Sequence, residues 1–178
     1  AALMSGIPGG RRRRRILQLD DIRRAGGVVL PARANLHAGA VPGRALYLAS
    51  SFLPDHRNGY TIRTFYLVHA LKAAGLDVRF ATRPGYPWDR RKINLSVKET
   101  VEVDGLMCER LRAAAGMSGP PLDYFSAAAD ALAAYIAARG ISIVHAASNH
   151  MSALPALIAA RRMGCAFVYE VRGLWEFS

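Results

Sequence analysis

Cysteine is scarce in this chain. Two residues, Cys108 and Cys165, stand among 178, far apart and without metal-ligand spacing. That excludes a disulfide-stapled scaffold and predicts two free, buried thiols in apolar strand patterns. Long apolar runs are lacking too. Asp130, Arg139 or Arg161 interrupts the longest of them, so none reaches the roughly 20 residues that cross a bilayer. The basic start runs into Ile16-Leu-Gln-Leu-Asp-Asp21, too short an apolar stretch for a signal peptide. A cytoplasmic protein is the expectation.

Acidic residues are few, 13 against 24 Lys and Arg, for a net charge of +11. Much of the excess lies near the start, in Arg11, Arg12, Arg13, Arg14 and Arg15 with Arg23 and Arg24, opposed by Asp20 and Asp21. Such a run grips nucleic-acid phosphate, touches an anionic membrane surface, or is a solvated tail. No aromatic residues interleave with these arginines as stacking platforms. The expectation is therefore a tail or a weak contact at the inner face of the membrane, not specific nucleic-acid binding.

Several catalytic signatures are missing. There is no Walker A sequence, no G-x-G-x-x-G after the first strand, no G-x-S-x-G and no H-E-x-x-H. His145 and His150 straddle a strand-to-helix turn with no carboxylate between them, so no metal and no cofactor is expected.

What is present is alternation. Ala45 to Ala49 reads as a buried strand, followed by a polar loop and an amphipathic helix from about Tyr60 to Ala74. Asp77 to Thr82 follows as a strand, then a loop, 83–92, rich in Pro, Gly, aromatics and cations. Thr100 to Leu111 alternates around Asp104-Gly105, a hairpin signal. Leu122 to Arg139 is an alanine-rich helix closed by Gly140. Ile141 to Ala147, Met151 to Met163 and Cys165 to Val171 read as strand, helix and strand. The βα order predicts an α/β, Rossmann-like, doubly wound and mainly parallel sheet with a small hairpin near 100–111. Residues 1–43 read as a basic extension and linker, and 44–178 as the domain. The chain opens on Ala1 and stops after Phe177-Ser178, just past a strand, so an incomplete C-terminal side is expected.

In such folds ligands lie beyond the carboxyl ends of the strands. Loops 51–59, 147–150 and 171–176 gather there, joined by 83–92. They carry polar and cationic residues suited to an oxygen-rich, phosphorylated ligand. Gly59 marks a place where backbone would approach a bound group closely.

Five segments in order carry a family resemblance: Ala49-Ser-Ser-Phe-Leu-Pro54, Asn58-Gly59-Tyr60, Thr82-Arg-Pro-Gly-Tyr-Pro87, Val144-His145-Ala-Ala-Ser-Asn149 and Tyr169-Glu-Val-Arg-Gly-Leu-Trp-Glu176. From about residue 45 onward the chain resembles the N-terminal half of a family-4 glycosyltransferase, closest to the subgroup found beside exosortase and exopolysaccharide loci. The resemblance implies a truncated half of a GT-B enzyme that moves a sugar from a nucleotide-sugar to a glycan or lipid-linked acceptor with retention and without a metal. The missing C-terminal domain would hold the donor nucleotide and the paired glutamates, so this fragment alone is expected to be inactive. Carried over by position, Asn58, Gly59, Tyr60 and Arg63 would meet the donor diphosphate. Arg83, Tyr86, His145, Asn149 and Glu170 would line the acceptor side. His150, Arg172 and Glu176 would serve catalysis. The family often has two glycines where this chain has Asn58-Gly59, and a second histidine where it has Ala147. A non-catalytic glycan-binding module is the alternative, with a basic nucleic-acid binder behind it.

Overall fold

The structure is a computed structural model, and it describes residues 20–90, 97–117 and 119–172. The elements run β1 (Ala45–Ala49), α1 (Gly59–Ala73), β2 (Val78–Thr82), β3 (Thr100–Val103), β4 (Leu106–Arg110), α2 (Pro121–Arg139), β5 (Ile143–Ala147), α3 (His150–Met163) and β6 (Ala166–Glu170). They form one six-stranded sheet in the order β3-β4-β2-β1-β5-β6. All neighbours are parallel except β3 and β4, the hairpin expected around Asp104-Gly105.

The strands show why the sheet is covered on both faces. Leu46 and Leu48 join Val144 and Ala146 on one face, against Leu132, Ile136, Ala156 and Ala160 of α2 and α3. Tyr47 and Ala49 point the other way and join Phe52, Phe80 and Val68 of α1. A strand that alternates between two buried faces reads as a continuous apolar run, which is how Ala45–Ala49 looks in the sequence. Both cysteines are free and buried, as expected.

Helix ends are capped by local residues. Asn58 caps α1, its Oδ1 accepting from the Thr61 amide at 3.0 Å while Thr61 Oγ1 accepts from the Asn58 amide at 3.0 Å. Gly140 and Gly164 close α2 and α3 in the left-handed region, at φ of 64° and 71°.

Residues 31–41, within the stretch expected to link the basic extension to the domain, are tied to those same helix ends. The Ala34 amide donates to the Arg161 carbonyl at 2.8 Å, the His37 amide to Met163 at 3.0 Å and the Val41 amide to Gly140 at 2.9 Å. The approach is close: a Cβ added at Gly164 would lie 2.2 Å from the Asn35 backbone. Upstream, residues 20–24 are helical, and Ile22 and Val28 pack against a cluster that includes Tyr124, Phe125 and Ile158. Arg11 to Arg15 lie outside the described residues. No helix among the described residues is long and apolar enough to cross a membrane.

Candidate functional site

Parallel register brings the ends of β1, β2, β5 and β6 to one edge of the sheet, so the loops after Ala49, Thr82, Ala147 and Glu170 share it. The most densely bonded group there centres on Glu170 and Arg172. Arg172 donates through Nε to Glu170 Oε1 at 2.9 Å, and through Nη1 to Thr64 Oγ1 at 2.7 Å and the Tyr60 carbonyl at 3.2 Å. Its Nη2 donates to the Tyr47 hydroxyl, and its guanidinium sits 4.8 Å from the centre of the Tyr60 ring. The side chain is 3% exposed.

Glu170 collects the other half of the network. It accepts from Tyr47 Oη at 2.7 Å and from Arg63 Nη2 at 3.2 Å. His145 Nε2 is 3.2 Å from Glu170 Oε2, without the alignment of a hydrogen bond. Burial pushes the Glu170 carboxyl up, but hydrogen bonds from Arg172 and Tyr47 and the charge of Arg172 outweigh it, and its pKa falls below the usual value. Burial pushes the Tyr47 phenol well above its ordinary range, and its bond to Glu170 adds to this. For His145, burial lowers the pKa against the opposing pull of Glu170.

Tyr60 ties this network to the neighbouring loops. Its hydroxyl accepts from the Ser50 amide at 2.8 Å and donates to the Ala147 carbonyl at 3.3 Å, and burial pushes its pKa up to about 12. At the start of α1, Asn58 accepts from the Thr61 amide through its side chain and from the Ile62 amide through its carbonyl. The Gly59 and Tyr60 amides precede any intrahelical acceptor. The first turn carries no acidic residue. Gly59 has neither a positive φ nor a neighbour within 4 Å of an added Cβ. Nothing in the fold itself requires glycine there.

The residues expected on the acceptor side separate into two groups. Glu170 and His145 join the network. Asn149 caps α3, accepting from the Met151 amide at 3.2 Å, and His150 begins that helix, half-buried. Arg83 and Tyr86 are instead interior to their loop. Arg83 binds Asp89 through both terminal nitrogens, at 2.6 and 3.0 Å, and Tyr86 Oη donates to the Phe52 carbonyl at 3.1 Å. Arg110 pairs with Asp55 beside them, and Arg112 lies 4.2 Å over the Trp88 ring. Glu176, with Gly173 and Trp175, falls outside the described residues. Tyr47 and Thr64 complete the network although no sequence pattern singled them out. Each looks like a core residue until the fold brings Arg172 to it.

Among the described residues no group of three His, Cys, Asp or Glu could hold a metal ion. The edge offers a polar floor, exposed cations in Arg63 (62% exposed) and Arg57, and the outward amides at the start of α1 beside Gly59.

Comparison with solved structures finds sucrose-phosphate synthase from Thermosynechococcus elongatus, at 17% identity and a TM-score of 0.50, covering 73% of this chain. The chain covers 64% of that one. This likeness shows the fold, a Rossmann-like half of the GT-B type. Comparison with curated proteins finds no match. The family model for the glycosyl transferase 4-like domain matches residues 58–178, from the α1 cap through β6 to the last residue. The chain belongs to the glycosyl transferase 4-like domain family.

Proposed function

We propose that this domain is the acceptor-side half of a retaining glycosyltransferase that moves a sugar from a nucleotide-sugar to a glycan or lipid-linked acceptor in envelope or exopolysaccharide synthesis. The observation that carries the reading is Gly59. It opens α1 at the shared strand edge, free of any steric or backbone demand of its own, inside the span matched by the family. A residue that costs helix stability and serves no packing purpose fits close approach by a ligand.

In this reading the Gly59 and Tyr60 amides and the guanidinium of Arg63 meet the donor diphosphate. Arg172 and Glu170 act differently from a mobile acid or a free cation. Their hydrogen-bonding capacity is turned inward, so they hold Tyr60 and Arg63 in place beneath the diphosphate. His150 and Asn149 stand at the opening of α3 on the same edge, facing the acceptor. Glu176 remains the proposed catalytic carboxylate of the segment that follows β6. The donor nucleotide binds a second half, the domain needs no metal, and the arginines 11–15 rest at the inner membrane surface. On this reading, residues 44–178 carry the transferase site, with residues 31–43 packed onto that unit behind the basic extension.

Calorimetry with UDP- and GDP-sugars tests the reading in a protein extended to include the donor half. Binding by the extended protein, weakened by Gly59→Trp, supports it. Equal binding with and without the tryptophan removes Gly59 from the site. No nucleotide-sugar binding at all removes the transferase.

A further inference from the structure

We propose that the cleft between residues 53–57, the first two turns of α1 and the β3–β4 turn is a subsite for a single pyranose ring of an acceptor glycan. The inference rests on the acceptor-side reading above and narrows it, from glycan or lipid to glycan.

The cleft measures about 260 Å³ and is lined by Leu53, Pro54, Ile62, Phe65, Tyr66 and Val103, with Arg57 and Asp104. Sites that enclose a drug-sized ligand run from roughly 300 to 1,000 Å³. This one is of a size to hold about one sugar ring. Its character is mixed in a specific way. Tyr66 is 67% exposed, and its ring is set edge-on to Phe65 with 5.3 Å between centres. Nothing in the core uses it. An exposed aromatic face suits the C–H side of a pyranose, which is apolar although the ring's rim is hydroxylated.

Arg57 and Asp104 are both exposed, and among the described residues neither has an ion pair or side-chain hydrogen bond. Asp104 sits at φ 45° ahead of Gly105, so a tight turn fixes its position. One free cation and one free carboxylate on the same mixed cleft decide between ligands. A phosphorylated headgroup would pair with Arg57 but meet repulsion from Asp104. A bare lipid tail would desolvate both charges and return no hydrogen bond. A sugar satisfies both, since its hydroxyls donate to a carboxylate and accept from a guanidinium. The surrounding charges leave that choice intact: the nearby Asp55 is committed to Arg110.

The test is an amide NMR titration of the full chain with methyl glycosides of glucose, galactose, mannose and N-acetylglucosamine. At least one should shift the amides of Leu53, Arg57, Ile62, Tyr66 and Asp104, and Tyr66→Ala and Asp104→Asn should each weaken it about tenfold. Asparagine tolerates the left-handed turn, so the second variant removes the charge and keeps the hairpin. Arg57→Gln, at an exposed position, gives the same reading if either of the others loses its dispersed spectrum. The proposal is overturned if no glycoside shifts these amides, or if the shifts survive the substitutions. Preferential binding of dodecyl phosphate in the cleft would also overturn it, in favour of a lipid acceptor. Nucleotide-sugar binding reads out at Gly59 and Tyr60, so failure of the transferase reading and failure of the subsite give different patterns.

Discussion

Arg172 and Glu170, two residues apart at the end of β6, form an ion pair at 2.9 Å with the arginine almost wholly enclosed. The pair clasps β6 to α1 and β1 through Thr64 and Tyr47. Pairs of this kind are more costly to break than to do without, because the surviving partner keeps its desolvated charge. Arg172→Ala should therefore destabilise the domain by about 3 kcal/mol, measured as a lowered midpoint in urea. The double variant with Glu170→Gln should recover part of that loss. Additive losses would mean the two residues act independently.

The same cluster sets a pH response. The folded-state pKa of His145 is lowered from 6.5, so the unfolded chain binds the proton more readily, and stability falls as pH drops below about 6.5. His56, lowered by burial and by Arg90, contributes in the same window. Glu170 is lowered from 4.5, so its stabilisation is complete above that value and is lost as pH falls through its folded pKa. Thermal midpoints between pH 8 and pH 3 should fall in two stages. His145→Gln should flatten the first stage while keeping the second; an unchanged first stage would assign it to other groups.

Gly59→Ala should separate stability from binding. With open space around the added methyl and an ordinary φ, alanine should stabilise α1 by about 0.5 kcal/mol. On the proposed reading the methyl would stand where the diphosphate approaches, so nucleotide-sugar affinity should drop in a protein that contains the donor half. A stability gain with unchanged affinity would place the diphosphate elsewhere.

Gly164→Ala and Gly75→Ala form a matched pair. Both glycines have positive φ, 71° and 82°, but a Cβ at Gly75 meets nothing within 4 Å, while one at Gly164 meets the Asn35 backbone. The Gly75 variant should lose about 1 kcal/mol from the left-handed conformation alone. The Gly164 variant should lose distinctly more and open residues 31–41 to proteolysis. Equal losses would show that the backbone at Asn35 moves aside freely.

The fold was legible because its signals are local. Leu46 and Leu48 betray a strand buried on both faces, Asp104-Gly105 a hairpin, and Gly140 and Gly164 helix ends. The site was legible only in part. Asn58 and Asn149, expected at the donor and acceptor sides, sit at helix starts and cap α1 and α3, a role the sequence alone did not assign them. The bonds of Arg172 join residues more than 100 positions apart, and no periodicity encodes which tyrosine an arginine will meet. Arg83 and Tyr86 show the converse. A loop rich in cations and aromatics looks like a binding wall, yet Asp89, six residues on, takes up the arginine.

The chain before β1 has a consequence for how this domain is handled. Composition draws its edge at Arg44, where prolines and glycines give way to the first apolar run. The hydrogen bonds of Ala34, His37 and Val41 draw it near residue 31. Trimming to the compositional edge would uncover the two glycine-ended helices and strip Arg161 of its acceptor at the Pro31 carbonyl. A shortened protein that precipitates would be reporting a missing buckle, not an unstable sheet.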